Sequence, residues 1–135
     1  MTVRSPLACL LVLFIFSAFG TAALAQHMNA PGSPCNRPST TPEEYGCFAK
    51  ASVTADKALN ALYTKVRTVL SPEESRDLFE AQRAWIKYRD LTCNAEYKLY
   101  GGGTGGPVTQ QACLLAITEE RMTTLKTTYQ WRLDK

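Results

Sequence analysis

Between Phe48 and Val69 the inward candidates recur at alternating steps of four and three: Phe48, Ser52, Ala55, Leu59, Leu62, Val66 and Val69. Residues three and four apart stack on one face of an α-helix. The spacing therefore predicts a long helix with one seam, packed nearly parallel or antiparallel to a neighbour. Lys50, Lys57, Asn60, Lys65 and Arg67 fall mostly off that seam, as a solvated face requires. The start signal is Thr41-Pro42-Glu43-Glu44, read as Thr41 at the N-cap, Pro42 at the first helical position and Glu44 closing a capping box.

The same signal returns at Ser71-Pro72-Glu73-Glu74, which ends the first helix and opens a second. So short a connection predicts an antiparallel hairpin. On the second helix Leu78, Gln82, Trp85, Arg89, Thr92, Glu96 and Leu99 form one stripe, with Phe79, Ile86 and Cys93 beside it. A third helix is expected from about Val108 to Leu133. Its stripe is Cys113, Ile117, Arg121, Leu125 and Thr128, with Leu114, Met122 and Trp131 near it. No strand alternation interrupts this pattern. The fold class is all-α, a small helical bundle with two long antiparallel helices and a third helix after a glycine-rich loop.

That loop is Tyr100-Gly101-Gly102-Gly103-Thr104-Gly105-Gly106-Pro107. Five glycines and a proline in eight residues make it a poor helix and a natural place for the chain to reverse. It lacks the Gly-Lys-Ser/Thr that follows in a phosphate-binding loop, so a nucleotide site is not expected.

The segment before the first helix has a different pattern. Residues 1–25 read as a signal peptide: Arg4, an apolar run from Leu7 to Phe19, then Ala23-Leu24-Ala25 as a cleavage site, so that the mature chain would begin at Gln26. The run is shorter than the ~20 residues of a bilayer span, so no stable membrane insertion is expected. Cys9 lies near the start of the apolar run and not after it, so it does not suit lipid attachment. Residues 26–40, rich in Pro, Ser and Asn, read as an extended N-terminal arm pinned through Cys35, and residues 41–135 as one helical domain. His27, the single histidine, is expected to be solvated on that arm.

Without Arg4, 14 basic and 12 acidic residues remain, a net charge of +2. That bias does not point to nucleic acid. Four cysteines also remain: Cys35, Cys47, Cys93 and Cys113. In an exported chain of 110 residues an even number reads as two disulfides. Zinc is disfavoured, because 11 and 19 residues separate successive members of the two pairs, without the close spacing of structural zinc sites. Of three possible pairings, Cys35 with Cys47 and Cys93 with Cys113 is favoured, since each bridge then closes a stretch rich in Pro, Ser, Thr or Gly.

Two arginines, Arg89 and Arg121, fall on inward stripes. A buried guanidinium needs a carboxylate or several carbonyl oxygens, with Asp56, Asp90 and Glu96 the candidates. Asp56, Gln82, Trp85, Arg89 and Arg121 are thus read as a structural polar core. No nucleophile motif and no cofactor signature stands out, and the acids cluster as Glu43, Glu44, Glu73 and Glu74 at helix starts, where the macrodipole explains them. A non-enzymatic protein without cofactor or metal is expected.

Several pieces in order carry a family resemblance: Cys47; Ala55-Asp56-x-x-Leu59-Asn60-x-x-Tyr63; Leu70-Ser71-Pro72-Glu73; Ala81-Gln82-Arg83-Ala84-Trp85-Ile86-x-Tyr88-Arg89-Asp90-x-x-Cys93; Gly102-Gly103-Thr104; Cys113; and Thr118-x-x-Arg121-x-x-x-Leu125. Together they resemble the lysozyme inhibitor LprI-like N-terminal domain family, over almost the whole span from Cys35 to Leu125. The resemblance implies an exported, periplasmic or secreted bacterial protein, helical and disulfide-linked, whose partner is a lysozyme. Gly102, Gly103 and Thr104 are then the binding candidates, at the tip of a loop that could enter a lysozyme cleft. The competing expectation is an envelope-stress or interaction module binding another envelope protein or a peptidoglycan fragment through its helical groove. The sequence leaves the oligomeric state open.

Overall fold

Capping chemistry sets where the helices begin. In the computed structural model, which describes residues 27–35 and 37–135, helix α1 spans Thr41–Thr68, α2 Pro72–Lys98 and α3 Gly105–Leu133. No strand occurs among the described residues. The expected signal peptide lies outside them.

Helix α2 starts as the Ser-Pro-Glu-Glu signal predicts. The Ser71 hydroxyl accepts from the Glu74 N–H at 3.2 Å, and the Glu74 carboxylate accepts from the Ser71 N–H at 2.8 Å. At α1 the cap lies one residue earlier than expected. Thr40, not Thr41, is extended and accepts from the Glu43 N–H at 3.3 Å, while the Glu43 carboxylate reaches back to the N–H and hydroxyl of Ser39. Two adjacent threonines offer the same cap. The frame that lets Glu43 close onto Ser39 satisfies more of the free N–H groups.

Helices α1 and α2 run antiparallel, but the element that holds the bundle together is α3. It packs along both of them, whereas the α1 and α2 backbones approach each other little. The bridge Cys93–Cys113 and the bond from Arg132 to Glu74 set α3 antiparallel to α2. Ser52–Gln111 near one end and Val69–Arg132 near the other set it parallel to α1. At 29 residues α3 is also the longest helix among the described residues.

Its sequence carries the reason. Val108-Thr109, Ala112-Cys113 and Ile117-Thr118 are buried at adjacent positions. Neighbouring residues point about 100° apart on a helix, so buried doublets mean cover on two sides. Val108, Ala112 and Leu115 meet Phe48 and Ala55 of α1, while Cys113 and Ile117 join Cys93 of α2. All three helices meet where Leu59, Val66, Leu78 and Leu125 cluster. Each of these side chains contributes about 1.5–3 kcal/mol by leaving water. The α1 seam is as expected: Phe48, Ser52, Ala55, Leu59 and Val66 are buried. On the other stripes Leu99 is 82% exposed, and Phe79, Ile86, Thr128 and Trp131 also face solvent.

The glycine-rich loop is shorter than its composition suggests. Helix α3 begins at Gly105, not Val108, so Gly105, Gly106 and Pro107 are helical. An added Cβ at Gly105 would lie 2.8 Å from the Tyr100 ring, and one at Gly106 3.1 Å from the Tyr97 ring. These glycines admit two tyrosine rings against the start of α3; Gly101 and Gly102, at φ of +54° and +85°, make the turn itself.

The segment before α1 is held at more places than Cys35. Residues His27–Asn29 form a 3-10 turn against α3, and Cys35 is buried. Among the described residues two disulfides are present, Cys35–Cys47 with S–S 2.00 Å and Cys93–Cys113 with S–S 2.08 Å.

Candidate functional site

The polar groups expected inside the bundle converge on Trp85, a half-buried ring on α2. The Arg89 and Arg121 guanidinium carbons lie 5.0 and 5.8 Å from its centroid. Arg89 is 13% exposed and well bonded. Its Nη1 donates to Asp56 Oδ1 of α1 at 2.7 Å and to Thr118 Oγ1 of α3 at 3.3 Å, and its Nε donates to Asp90 Oδ1 at 3.0 Å. One side chain thereby joins all three helices.

Arg121 behaves differently. Its Nε donates to Gln82 Oε1 at 3.0 Å, and it forms no ion pair with a carboxylate among the described residues. Nη2 is buried with no hydrogen-bond partner. Burial lowers the affinity of this guanidinium for its proton, with the nearby Tyr129 and Tyr63 acting the other way. Thus the expectation that each inward arginine meets a carboxylate or several carbonyls holds in geometry for Arg89 and not for Arg121. Glu96, the third candidate, instead lies 3.1 Å from His27 Nδ1. That contact ties the N-terminal turn to α2, while the His27 side chain stays 36% exposed. With Cys113 these two form a close cluster, but the Cys113 sulfur is held in a disulfide and only His27 and Glu96 are left to face a metal.

Beside Arg121, α2 and α3 enclose an open groove of about 490 Å³, with Leu70, Leu78 and Leu125 as apolar wall and Asp77, Thr124 and Tyr129 as polar wall. At one end of the bundle the exposed turn Gly101–Thr104 stands beside a shallow apolar dish of about 670 Å³ formed by Pro42, Tyr45, Thr104 and Pro107. Thr104 occupies the N-cap of α3, yet its hydroxyl makes no capping bond. The structure thus separates the residues singled out from sequence into two places. Asp56, Gln82, Trp85, Arg89 and Arg121 lie together between the helices; Gly102, Gly103 and Thr104 lie at the tip. Pro42 and Tyr45 at the dish were not foreseen, because nothing in the sequence places the start of α1 beside the start of α3 until those helices are known to run parallel.

At the far end Arg132 donates to the Val69 carbonyl at 3.0 and 3.3 Å and to Glu74 at 3.0 Å, tying α3 to the α1–α2 connection. The Glu74 carboxyl is held below its ordinary 4.5, first by the Ser71 N–H, then by the Ser71 hydroxyl and Arg132. Glu43 is lowered likewise, first by the Ser39 hydroxyl and then by its N–H.

Fold and site define a three-helix, disulfide-linked domain suited to an oxidising, extracytoplasmic compartment. None of its described helices is long and apolar enough to cross a membrane. The family model described as "Lysozyme inhibitor LprI" matches residues 35–125, and the chain belongs to that family. Neither curated proteins nor solved structures give a match to the chain.

Proposed function

We propose that the protein is exported and binds a lysozyme-type cell-wall hydrolase, obstructing its cleft with the Gly101–Thr104 turn. Membership of the LprI family over residues 35–125 carries this reading. The geometry supports it at the tip. The turn projects from the end of the bundle, it is braced behind by the buried Cys93–Cys113 bridge, and it is flanked by the exposed ring of Tyr45. An exposed turn beside an apolar patch suits contact with a concave site. The role is inhibition by occupancy, without chemistry on the partner.

The test is clearing of a cell-wall suspension by lysozyme with and without the oxidised protein, repeated with Thr104→Trp. Bulk at the exposed tip is expected to weaken inhibition while leaving the thermal transition unchanged. Full inhibition by Thr104→Trp would move the contact away from the turn. A second reading is binding of another envelope protein or a peptidoglycan fragment in the α2–α3 groove, favoured by the unpartnered Arg121 Nη2 beside it. Under that reading wild-type protein leaves lysis unaffected, and glycan fragments perturb Trp85 fluorescence.

A further inference from the structure

Helix α2 has two patterned faces. One, through Leu78, Gln82 and Cys93, is buried in the bundle. The other runs along the flank of α2 and borders α3, with Ala81 at the edge of the α2–α3 groove and Tyr88 beside Ile117 and Arg121. Ala81, Ala84, Tyr88, Leu91 and Ala95 recur at steps of three and four and are all exposed, Tyr88 by 58% and Leu91 by 60%. Leu99, 82% exposed, lies at the end of the same stripe. This spacing is as regular as the buried seam of α1, and among the described residues no element covers it. Apolar residues in a three-four repeat over two heptads suit the face of another helix.

We propose that a second copy of the chain covers this face, its α2 running antiparallel to the first about a two-fold axis level with Ile86. The residues themselves select a second copy. In that register each Ala84 faces the partner subunit's Tyr88 and each Ala81 the partner subunit's Leu91, so a small side chain meets a large one in every central layer. The charges agree. Glu73 and Asp77 stand at the N-terminal end of the stripe and Lys98 at its C-terminal end, all exposed. Antiparallel pairing sets Lys98 level with the partner subunit's Glu74, one residue from the partner subunit's Glu73 and three from the partner subunit's Asp77, within reach of a lysine side chain at both ends. Parallel pairing would set like charge against like. The contact is isologous and closes on itself, giving a dimer and not a filament.

Helix α2 from Glu73 to Lys98 is about 38 Å long at about 1.5 Å per residue. One such helix pair falls below the ~1,600 Å² of a standard interface, so the dimer should form in the micromolar range or weaker. The inference does not rest on lysozyme binding, and it leaves the Gly101–Thr104 turn uncovered.

Sedimentation equilibrium of the oxidised protein over a concentration series tests it. The expected result is a reversible monomer–dimer equilibrium that Leu91→Glu abolishes, with helical content and melting unchanged because Leu91 touches solvent. Lys98→Glu should weaken dimerisation about tenfold or more, and adding Glu73→Lys with Asp77→Lys should restore it, since the inverted charges again complement each other. A single monomeric species up to ~1 mM overturns the proposal, as does a dimer indifferent to Leu91→Glu. A charge-inverted variant that stays dissociated overturns the antiparallel register. If the wild type is monomeric and Leu91→Glu instead abolishes lysozyme inhibition, the face belongs to the hydrolase and not to a second copy.

Discussion

Arg89 donates to Asp56 at 2.7 Å across two helices whose backbones approach each other little, so this ion pair is a main tie between α1 and α2 in the middle of the bundle. Asp56 is half exposed while Arg89 is largely buried, so loss of the aspartate leaves the more costly charge behind. Asp90, Thr118 and the Trp85 ring remain to it, which limits the damage. Asp56→Ala is expected to destabilise the protein by about 1–2 kcal/mol, measured by urea unfolding. Arg89→Met in the same background should recover part of that loss. An unchanged melting temperature in Asp56→Ala would remove the pair from the account of stability.

Most of the architecture was legible because it rests on local chemistry. Proline and acids after Ser71, and the four-three spacing from Phe48 to Val69, state their elements within a few residues. What was not legible depends on the third dimension. The central place of α3 is written in doublets such as Ala112-Cys113 and Ile117-Thr118, whose small or polar members look like surface until both faces are known to be covered. The helical Gly105 and Gly106 violate propensity, and the tyrosine rings they admit come from the last turn of α2 (Tyr97) and from the residues just after it (Tyr100). The His27 contact was not legible because its partner, Glu96, is 69 residues away. The tip residues Gly102–Thr104 were visible as a turn, but their apolar neighbours Pro42 and Tyr45 belong to another helix.

Gly106 gives a sharp test of that tyrosine packing. In an open helix position Gly→Ala stabilises by about 0.5–1 kcal/mol. Here the new methyl would sit 3.1 Å from the Tyr97 ring and 3.2 Å from its carbonyl oxygen. Gly106→Ala is therefore expected to lower stability by about 1–3 kcal/mol, and Gly106→Ala with Tyr97→Leu to recover much of it. Thermal unfolding of the two variants decides the sign.

The two disulfides should not be equivalent. Cys93 and Cys113 are both fully buried and join α2 to α3 across 20 residues, whereas Cys35–Cys47 ties the N-terminal segment to α1 across 12. Replacing Cys93 and Cys113 by alanine is expected to cost about 3–5 kcal/mol, since cavities add to the lost constraint. Replacing Cys35 and Cys47 is expected to cost less and to leave the helical circular dichroism intact. Equal losses from both replacements would contradict this ranking.

Acid should loosen the helix starts first. Glu43 and Glu74 have folded pKa values below the ordinary 4.5, so the unfolded chain takes up their protons at higher pH than the folded one. Their contribution is complete above about pH 5 and is lost as pH falls through the depressed folded values. Glu74→Gln should flatten the decline below about pH 5 without altering stability at higher pH. Urea midpoints across that range measure it. A decline as steep in Glu43→Gln/Glu74→Gln as in the wild type would assign the acid sensitivity to other carboxylates.

The tip also predicts how the protein should meet its partner. If the proposed turn enters a hydrolase cleft, the residual charge of +2 after the expected leader supplies little long-range steering, and Pro42, Tyr45 and Pro107 beside the turn carry no charge. Association should therefore depend little on salt, with on-rates in the ordinary range of about 10⁵–10⁷ M⁻¹s⁻¹, in contrast to electrostatically steered inhibitors. Affinity would then reside in apolar contact at Tyr45, which is 42% exposed beside the turn. Tyr45→Ala is expected to weaken binding by about 2 kcal/mol, roughly thirtyfold, through a faster off-rate. Surface plasmon resonance at low and high salt separates the possibilities. A steep fall in on-rate with salt would place the contact on a charged face of the bundle, and an unchanged off-rate in Tyr45→Ala would take it away from the dish.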